Sequence, residues 1–324
     1  MGSGNLRRTI LGLIVVISTP WPRAHAAGAI TFGMTSTTAT SIPYFIAEEK
    51  RFYAAEGLDV DTIVAGSTAG VLHQLAAGSL NMAQAATDQT LRAILRGAPV
   101  RIVAGATSKA EFRMVAAKGT RSWAELKGRT ISVGGTTDVT LYFLRVMARK
   151  NGLADHDYDL VYSGSTPNRF AQLLSGAVAG AILTNPQDFV ALEQGFVDLG
   201  SVPQYLPHWA QNNLLVDTRW AAAHRAEVLA FLRAHIRATR YLYDPANRAD
   251  VIAIFAQYTK TSREIAALTY DLYMRDQVVA PEGALFADGI AANIDALVAM
   301  GELAAPLALA RFIDPSFLAE VAGK

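Results

Sequence analysis

The chain has 324 residues, 51% of them hydrophobic and 18% charged, with a formal net charge of +1. That length buries the cores of two ordinary domains without staples. A near-neutral chain with no basic run offers nucleic acid no electrostatic footprint, and a sequence without cysteine has no disulfide, thiolate zinc site, cysteine nucleophile or lipidated N-terminal cysteine.

Arg7 and Arg8 form a basic n-region, residues 10–18 a short apolar run, and Pro20 and Pro22 break it. Ala24 and Ala26 then place small residues two apart, as signal peptidase requires. The apolar run is far shorter than the ~20 residues that span a bilayer. Residues 1–26 are therefore expected to be a cleavable export signal, leaving a mature chain in the periplasm. Paired arginines before Thr9-Ile10-Leu11 also resemble a twin-arginine signal, so the export route stays open.

Beyond the signal, short strands alternate with helices. Strands are expected at 29–34, 58–64, 81–85 and 101–106, with helices at 42–55, 70–77 and 89–96 between them. A second series follows, with strands at 129–133, 159–162, 181–183 and 197–200 and helices at 139–151 and 169–175. Such alternation implies parallel pairing and helix-flanked sheets. The last third is helical, at 220–243, 246–258, 262–274 and 287–300, and Val228, Leu229, Leu232 and Ile236 mark the buried face of the first of these. The expected class is α/β, with residues 27–112 plus 215–324 as one lobe, 113–214 as an inserted second lobe, and two strands near 112–117 and 214–216 crossing between them.

Several motifs then carry a family resemblance. Pro43-Tyr44-Phe45-Ile46-Ala47, followed by Phe52-Tyr53-Ala54-Ala55-Glu56-Gly57-Leu58-Asp59-Val60, resembles the first helix and second strand of the nitrate/sulfonate/taurine class of ABC-transporter substrate-binding proteins. That class also contains binders of thiamine-pyrimidine precursors. Leu75-Ala76-Ala77-Gly78, Gly97-Ala98-Pro99-Val100, Glu125-Leu126-Lys127-Gly128-Arg129 and Phe231-Leu232-Arg233-Ala234 continue the resemblance in order along the chain. It implies a type II periplasmic-binding-protein fold: two α/β lobes joined by a two-strand hinge, with a small molecule held between them. It also implies a permease and its ATPase as partners, a monomer, no cofactor and no catalysis. Asn81 and Ala179 stand where the family often has Asp in Gly-x-x-Asp turns, which loosens ligand identity. The related eukaryotic pyrimidine synthase uses a cysteine-rich iron motif that a chain without cysteine lacks.

In open α/β sheets, ligands bind beyond the carboxyl ends of the strands. That rule selects Thr35-Ser36-Thr37-Thr38, Gly66-Ser67-Thr68, Thr87-Asp88, Gly134-Gly135-Thr136-Thr137-Asp138, Ser163-Gly164-Ser165-Thr166 and Thr184-Asn185. Hydroxyls and backbone N–H groups at helix N-termini suit an anion, although the same residue types also serve as ordinary N-caps. Gly135 permits close backbone approach. Asp138 can complement a helix dipole or receive an amine. Tyr44, Tyr162 and Trp209 are expected beside the cleft, stacking on an organic ligand, whereas Tyr241, Tyr243, Tyr270 and Tyr273 read as packing. With no Lys or Arg in these loops, neutral donors are expected to hold the ligand's charge.

Enzyme signatures fail. Asp155-His156-Asp157-Tyr158-Asp159 imitates a calcium loop, but Leu160 and Thr166 stand where Gly and Glu are required. The histidines have no metal-ligand spacing, and neither a nucleophile elbow nor a phosphate loop is present. The reading is a binder of a small organic anion for import. The alternatives are a binder of a pyrimidine-type thiamine precursor, a precursor-synthesis enzyme on the same fold, and a sensor subunit.

Overall fold

A computed structural model describes Met1 and residues 28–323; the expected export signal, Met1 apart, lies outside the described residues. In chain order the elements are β1 (Gly28–Met34), α1 (Ile42–Glu49), α2 (Phe52–Ala55), β2 (Leu58–Val64), α3 (Thr68–Ala77), β3 (Met82–Ala86), α4 (Thr87–Leu95) and β4 (Val100–Thr107). There follow β5 (Phe112–Ala116), β6 (Thr130–Val133), α5 (Val139–Lys150), β7 (Asp159–Tyr162), α6 (Thr166–Leu174), β8 (Gly180–Thr184), α7 (Gln187–Glu193) and β9 (Val197–Ser201). The chain closes with β10 (Asn212–Asp217), α8 (Thr218–Ala223), α9 (Arg225–Tyr243), α10 (Arg248–Thr259), α11 (Arg263–Asp276), α12 (Ala287–Ala299) and α13 (Ser316–Ala322).

The strands form two five-stranded sheets, ordered β2-β1-β3-β10-β4 and β7-β6-β8-β5-β9. The two orders are equivalent. In each, one strand runs antiparallel between the third and the last: β10 against β3 and β4, β5 against β8 and β9. The remaining pairs, β1 with β2 and β3, and β6 with β7 and β8, are parallel. The chain passes from the first sheet to the second through residues 108–111 and returns through 202–211, so β5 and β10 are each the first strand laid down after a crossing.

Side-chain alternation decides what each face buries. Leu214 and Val216 of β10 join a core built with α1 and α9, while Leu215 between them joins the opposite core with α3, α4 and α12. In the second sheet Met114 and Ile182 face one core, and Val115, Ala181 and Leu183 the other. Both sheets are thus covered on both faces, as parallel pairing demands.

Two helices expected to be continuous are broken. The 42–55 segment splits at Arg51, whose φ of 56° lies in the left-handed region. The 220–243 segment splits at His224 (φ −127°, ψ 38°). The interruptions are two residues and one residue long, too short for periodicity alone to register the break.

Candidate functional site

The C-terminal ends of the parallel strands in the two sheets face each other across a cavity of about 70 Å³. From the first sheet its wall takes Met34, Thr35, Ser36, Thr38, Thr40, Ser41, Thr68, Gln84 and Ala86; from the second, Asp138, Val139, Thr140, Gly164, Ser165, Thr166, Arg169 and Thr184; and Phe112, Gln211 and Asn212 come from beside the crossings. Thr68, Thr140 and Thr166 lie in the first turns of α3, α5 and α6. Several helix N-termini, each bearing roughly half a positive charge, therefore converge on one space.

The wall also holds a buried cation. Arg169, 3% exposed, shares the buried face of α6 with Thr166 and Leu173. A guanidinium has five N–H donors. Here Nε donates to Ile182 O at 2.7 Å, Nη2 to Thr166 Oγ1 at 2.7 Å, and Nη1 to Gly164 O. Two N–H groups stay uncommitted in a residue that lines the cavity. Burial pulls its pKa down to about 10, with Asp138 acting in the opposite direction. A buried guanidinium held only by neutral acceptors is an incomplete electrostatic arrangement, and an anion in the cavity completes it.

Asp138 is the N-cap of α5. Its Oδ1 accepts from Thr140 N at 3.0 Å and Thr140 Oγ1 at 2.6 Å, and Thr140 Oγ1 accepts from Gly134 N at 2.8 Å. Gly134 has to be glycine: a Cβ there would sit 2.4 Å from the Asp138 carboxyl group. The other oxygen, Oδ2, accepts from Gln89 Nε2 of α4 at 3.1 Å, joining the two halves. Further bonds cross the gap from Ala39 N to Asn185 O at 3.2 Å and from Arg92 Nη1 to Thr137 O at 3.4 Å. A Cβ on Gly164, whose φ is +69°, would lie 3.1 Å from Gly66 O. The two halves are thus in contact around the cavity. Gln84 Oε1 and Gln211 Oε1, buried at its edge, have no hydrogen-bond partner.

Of the residues in the expected loops, the structure brings Thr35, Ser36, Thr38, Thr68, Asp138, Gly164, Ser165, Thr166 and Thr184 to the cavity. Gly66 meets Gly164 at the seam, and Ser67 caps α3 by accepting from Gly70 N at 3.0 Å. Thr37 is exposed away from the wall. Thr87 is fully buried, accepting from Asn213 Nδ2 at 2.7 Å, and serves the junction of β3 with β10. Asp88 is buried against Arg92 at 2.5 Å; burial pushes its pKa up to about 6 against the pull of that cation. Asn185 is buried, with Nδ2 donating to both Asp188 oxygens at 3.0 Å. Gly135 lies beside the Asp138 loop, and Thr136 and Thr137 line a separate, flanking groove.

The aromatic expectations need correction. Tyr44 is 4% exposed and stacks on Phe32 at 4.3 Å, because α1 is covered by both the sheet and α9. Trp209, 2% exposed, packs against Phe143 and Tyr142 in the core of the second sheet. Tyr162 is 49% exposed at the end of an edge strand. The aromatic side chain in the cavity wall is Phe112. Beside the neutral donors expected to hold a ligand's charge, Arg169 also lines the wall. A local signal exists for it: a cation in the first turn of a helix opposes the dipole, and this one sits at i and i+3 with the buried Thr166. Gln84, Thr140, Gln211 and Asn212 had no such signal, because the chain crossing that brings the last two back is a long-range event.

Comparison with known proteins follows from this geometry. Residues 38–249 match the family model described as NMT1/THI5 like. The chain is 25% identical over 256 residues to the 4-amino-5-hydroxymethyl-2-methylpyrimidine phosphate synthase of Schizosaccharomyces pombe, spanning 74% of this chain and 71% of that protein. Its structure is similar to the periplasmic nitrate-binding protein NrtA from Synechocystis PCC 6803, with TM-score 0.76, 14% identity, and coverage of 92% of this chain and 89% of that one. It is also similar to the alkanesulfonate-binding protein SsuA from Xanthomonas axonopodis pv. citri bound to MOPS, with TM-score 0.71, 18% identity, and coverage of 88% and 97%. These likenesses show a shared fold, that of the periplasmic binding proteins.

Proposed function

The chain belongs to the NMT1/THI5-like family, and from that premise we propose that it is the periplasmic solute-binding component of an ABC importer, closing around a compact organic anion. The observation that carries this reading is Arg169: a buried guanidinium with two free N–H groups in the wall of a cavity ringed by helix N-termini. The cavity volume of about 70 Å³ corresponds to roughly five to seven waters at about 10–15 Å³ each. It therefore suits a sulfonate or carboxylate with a short body. Gln84 Oε1 and Gln211 Oε1 favour a ligand that also carries a hydrogen-bond donor.

The two lobes are taken as the two sheets with their helices, exchanging at 108–111 and 202–211 rather than at the expected 112/113 and 214/215, because Phe112 pairs within the second sheet and Asn212 to Leu214 within the first. Closure is the signal a permease reads, because contacts to both lobes exist only in the closed state. The protein acts as a monomer with a permease and its ATPase as partners. A second reading, a pyrimidine-type precursor bound or made at the same place, is favoured by the synthase relative and by the Asp138 carboxylate in the wall. Against synthesis, the carboxylate in the described wall is committed: Asp138 caps α5 and accepts from Thr140 and Gln89.

Native mass spectrometry of gently purified protein tests the assignment. An added mass matching a small acid, released unchanged on denaturation, is the expected result. A bound heteroaromatic amine moves the assignment to the second reading, and a ligand released in altered form overturns the binding-only function.

A further inference from the structure

Beyond the bridge formed by Gln89 and Asp138 lies a second, larger space. It is a groove of about 520 Å³ whose floor is one face of α5, with Tyr142, Arg145, Val146 and Arg149 at i, i+3, i+4 and i+7. Its far wall comes from the other half of the molecule, from Arg92 of α4 and from Met300 at the end of α12. Volumes of this order hold an organic molecule of ordinary size.

The charges in the groove are unequally committed. Glu302 is chelated by Arg92, with contacts of 2.6 and 2.9 Å. Asp138 is taken up by Thr140 and Gln89. Arg149 holds Asp155 in a two-pronged pair at 3.2 and 2.9 Å. Arg145 competes with Arg149 for that carboxylate. The Arg145 Nε forms an ion pair at 3.1 Å with the same Asp155 oxygen that Arg149 engages, but donates no hydrogen bond. Two guanidinium groups that both line the groove thus share one carboxylate, which leaves one positive charge uncompensated there. Beside it, the half-buried Tyr142 ring is backed by Trp209 at 5.4 Å, and Val146 and Met300 add apolar surface.

We propose that this groove is a second binding site, for an aromatic organic anion whose charge is held by Arg145 and whose ring lies along Tyr142 and Val146. The site is distinct from the cavity that contains Arg169, with Asp138 lying between the two. Because its walls come from both halves, its occupant favours the closed form and, by reciprocity, tightens binding in the cavity.

The test is calorimetric titration of the mature chain with naphthalene-2-sulfonate. The wild type is expected to bind with submillimolar affinity, and Arg145→Gln to weaken binding by about ten- to a hundredfold, the scale of one lost charge-assisted hydrogen bond. Val146→Glu, which places a carboxylate beside Arg145, is expected to have at least as large an effect. Arg145 is half exposed and outside both cores, so both variants are checked for an unchanged melting temperature. Absence of binding by the wild type, or equal binding by Arg145→Gln, overturns the proposal.

Discussion

Replacing Arg169 by Gln removes the cavity's buried charge while keeping an amide of similar reach. The expected loss is one charge-assisted hydrogen bond to the ligand, about 1.5–3 kcal/mol, or about ten- to a hundredfold in affinity. The structure sets a second effect beside it. Ile182 O, Gly164 O and Thr166 Oγ1 each lose a donor, at about 1–3 kcal/mol for a buried acceptor left unpaired. Removing a buried cation that forms no direct ion pair offsets part of that. Ligand-induced thermal shift separates the two effects, because each variant serves as its own reference. For the wild type at about 100 times Kd, linkage gives about 2.7 kcal/mol, or roughly 5 °C at about 2 °C per kcal/mol. At the same ligand concentration, a tenfold to hundredfold weaker variant retains only about 0.4–1.4 kcal/mol, or roughly 1–3 °C. The assay uses methanesulfonate, 2-aminoethanesulfonate, nitrate and acetate as probes. Arg169→Lys keeps the charge but loses the fork and is expected to fall between the two. An undiminished shift in Arg169→Gln would refute the reasoning, whatever the variant's own melting temperature.

Three further outcomes are expected. Gly164→Ala puts a Cβ 3.1 Å from Gly66 O at a residue whose φ is +69°; it should weaken binding of the same probes and, by small-angle scattering, enlarge the ligand-bound radius of gyration relative to wild type. His235 is fully buried, and burial lowers its pKa from 6.5 to about 4. Its neutral ring therefore contributes stability above pH 6.5 that is lost as the pH falls toward 4, about 3 kcal/mol at ~1.4 kcal/mol per unit. Urea unfolding should show the wild type losing that much relative to His235→Phe across this window, and equal losses refute it. For export, N-terminal sequencing of periplasmic protein should read Ala27 first, and an uncleaved, membrane-retained chain counts against the signal.

The alternation of strands and helices was legible because it depends on local pattern. β2 was readable from end to end, since Leu58–Val64 alternates and is rich in β-branched residues bounded by a glycine on each side. The expected class, α/β with the periplasmic-binding-protein arrangement, matches the two equivalent sheets and the solved structures of that fold. What pattern cannot supply is the outcome of long-range packing. Tyr44 and Trp209 occupy positions that follow the same amphipathic rules whether a helix, a sheet or a ligand covers them. Only the tertiary arrangement, with α9 over α1 and Tyr142 over Trp209, selects among these.

The hydroxyl-rich loops illustrate the same limit from the other side. Ser and Thr at helix starts have one local use, as caps, and one non-local use, as ligand donors, and the sequence weights the first. Ser67 and Asp138 show that these uses need not exclude each other: both cap a helix, but only Asp138 also reaches the cavity. Capping consumes one acceptor per side chain and leaves the backbone N–H groups of the first turn to face whatever lies beyond. A site made from several helix starts is therefore specified less by the hydroxyls themselves than by the element that aims the helices at one point. Here that element is the double crossing at 108–111 and 202–211, which sets the strand ends of two equivalent sheets face to face. Arg169 is the exception, a residue whose local placement is unfavourable and whose justification has to lie elsewhere in the fold. If the proposed anion site holds, a cation in the first turn and on the buried face of α6 points to it more specifically than the caps do.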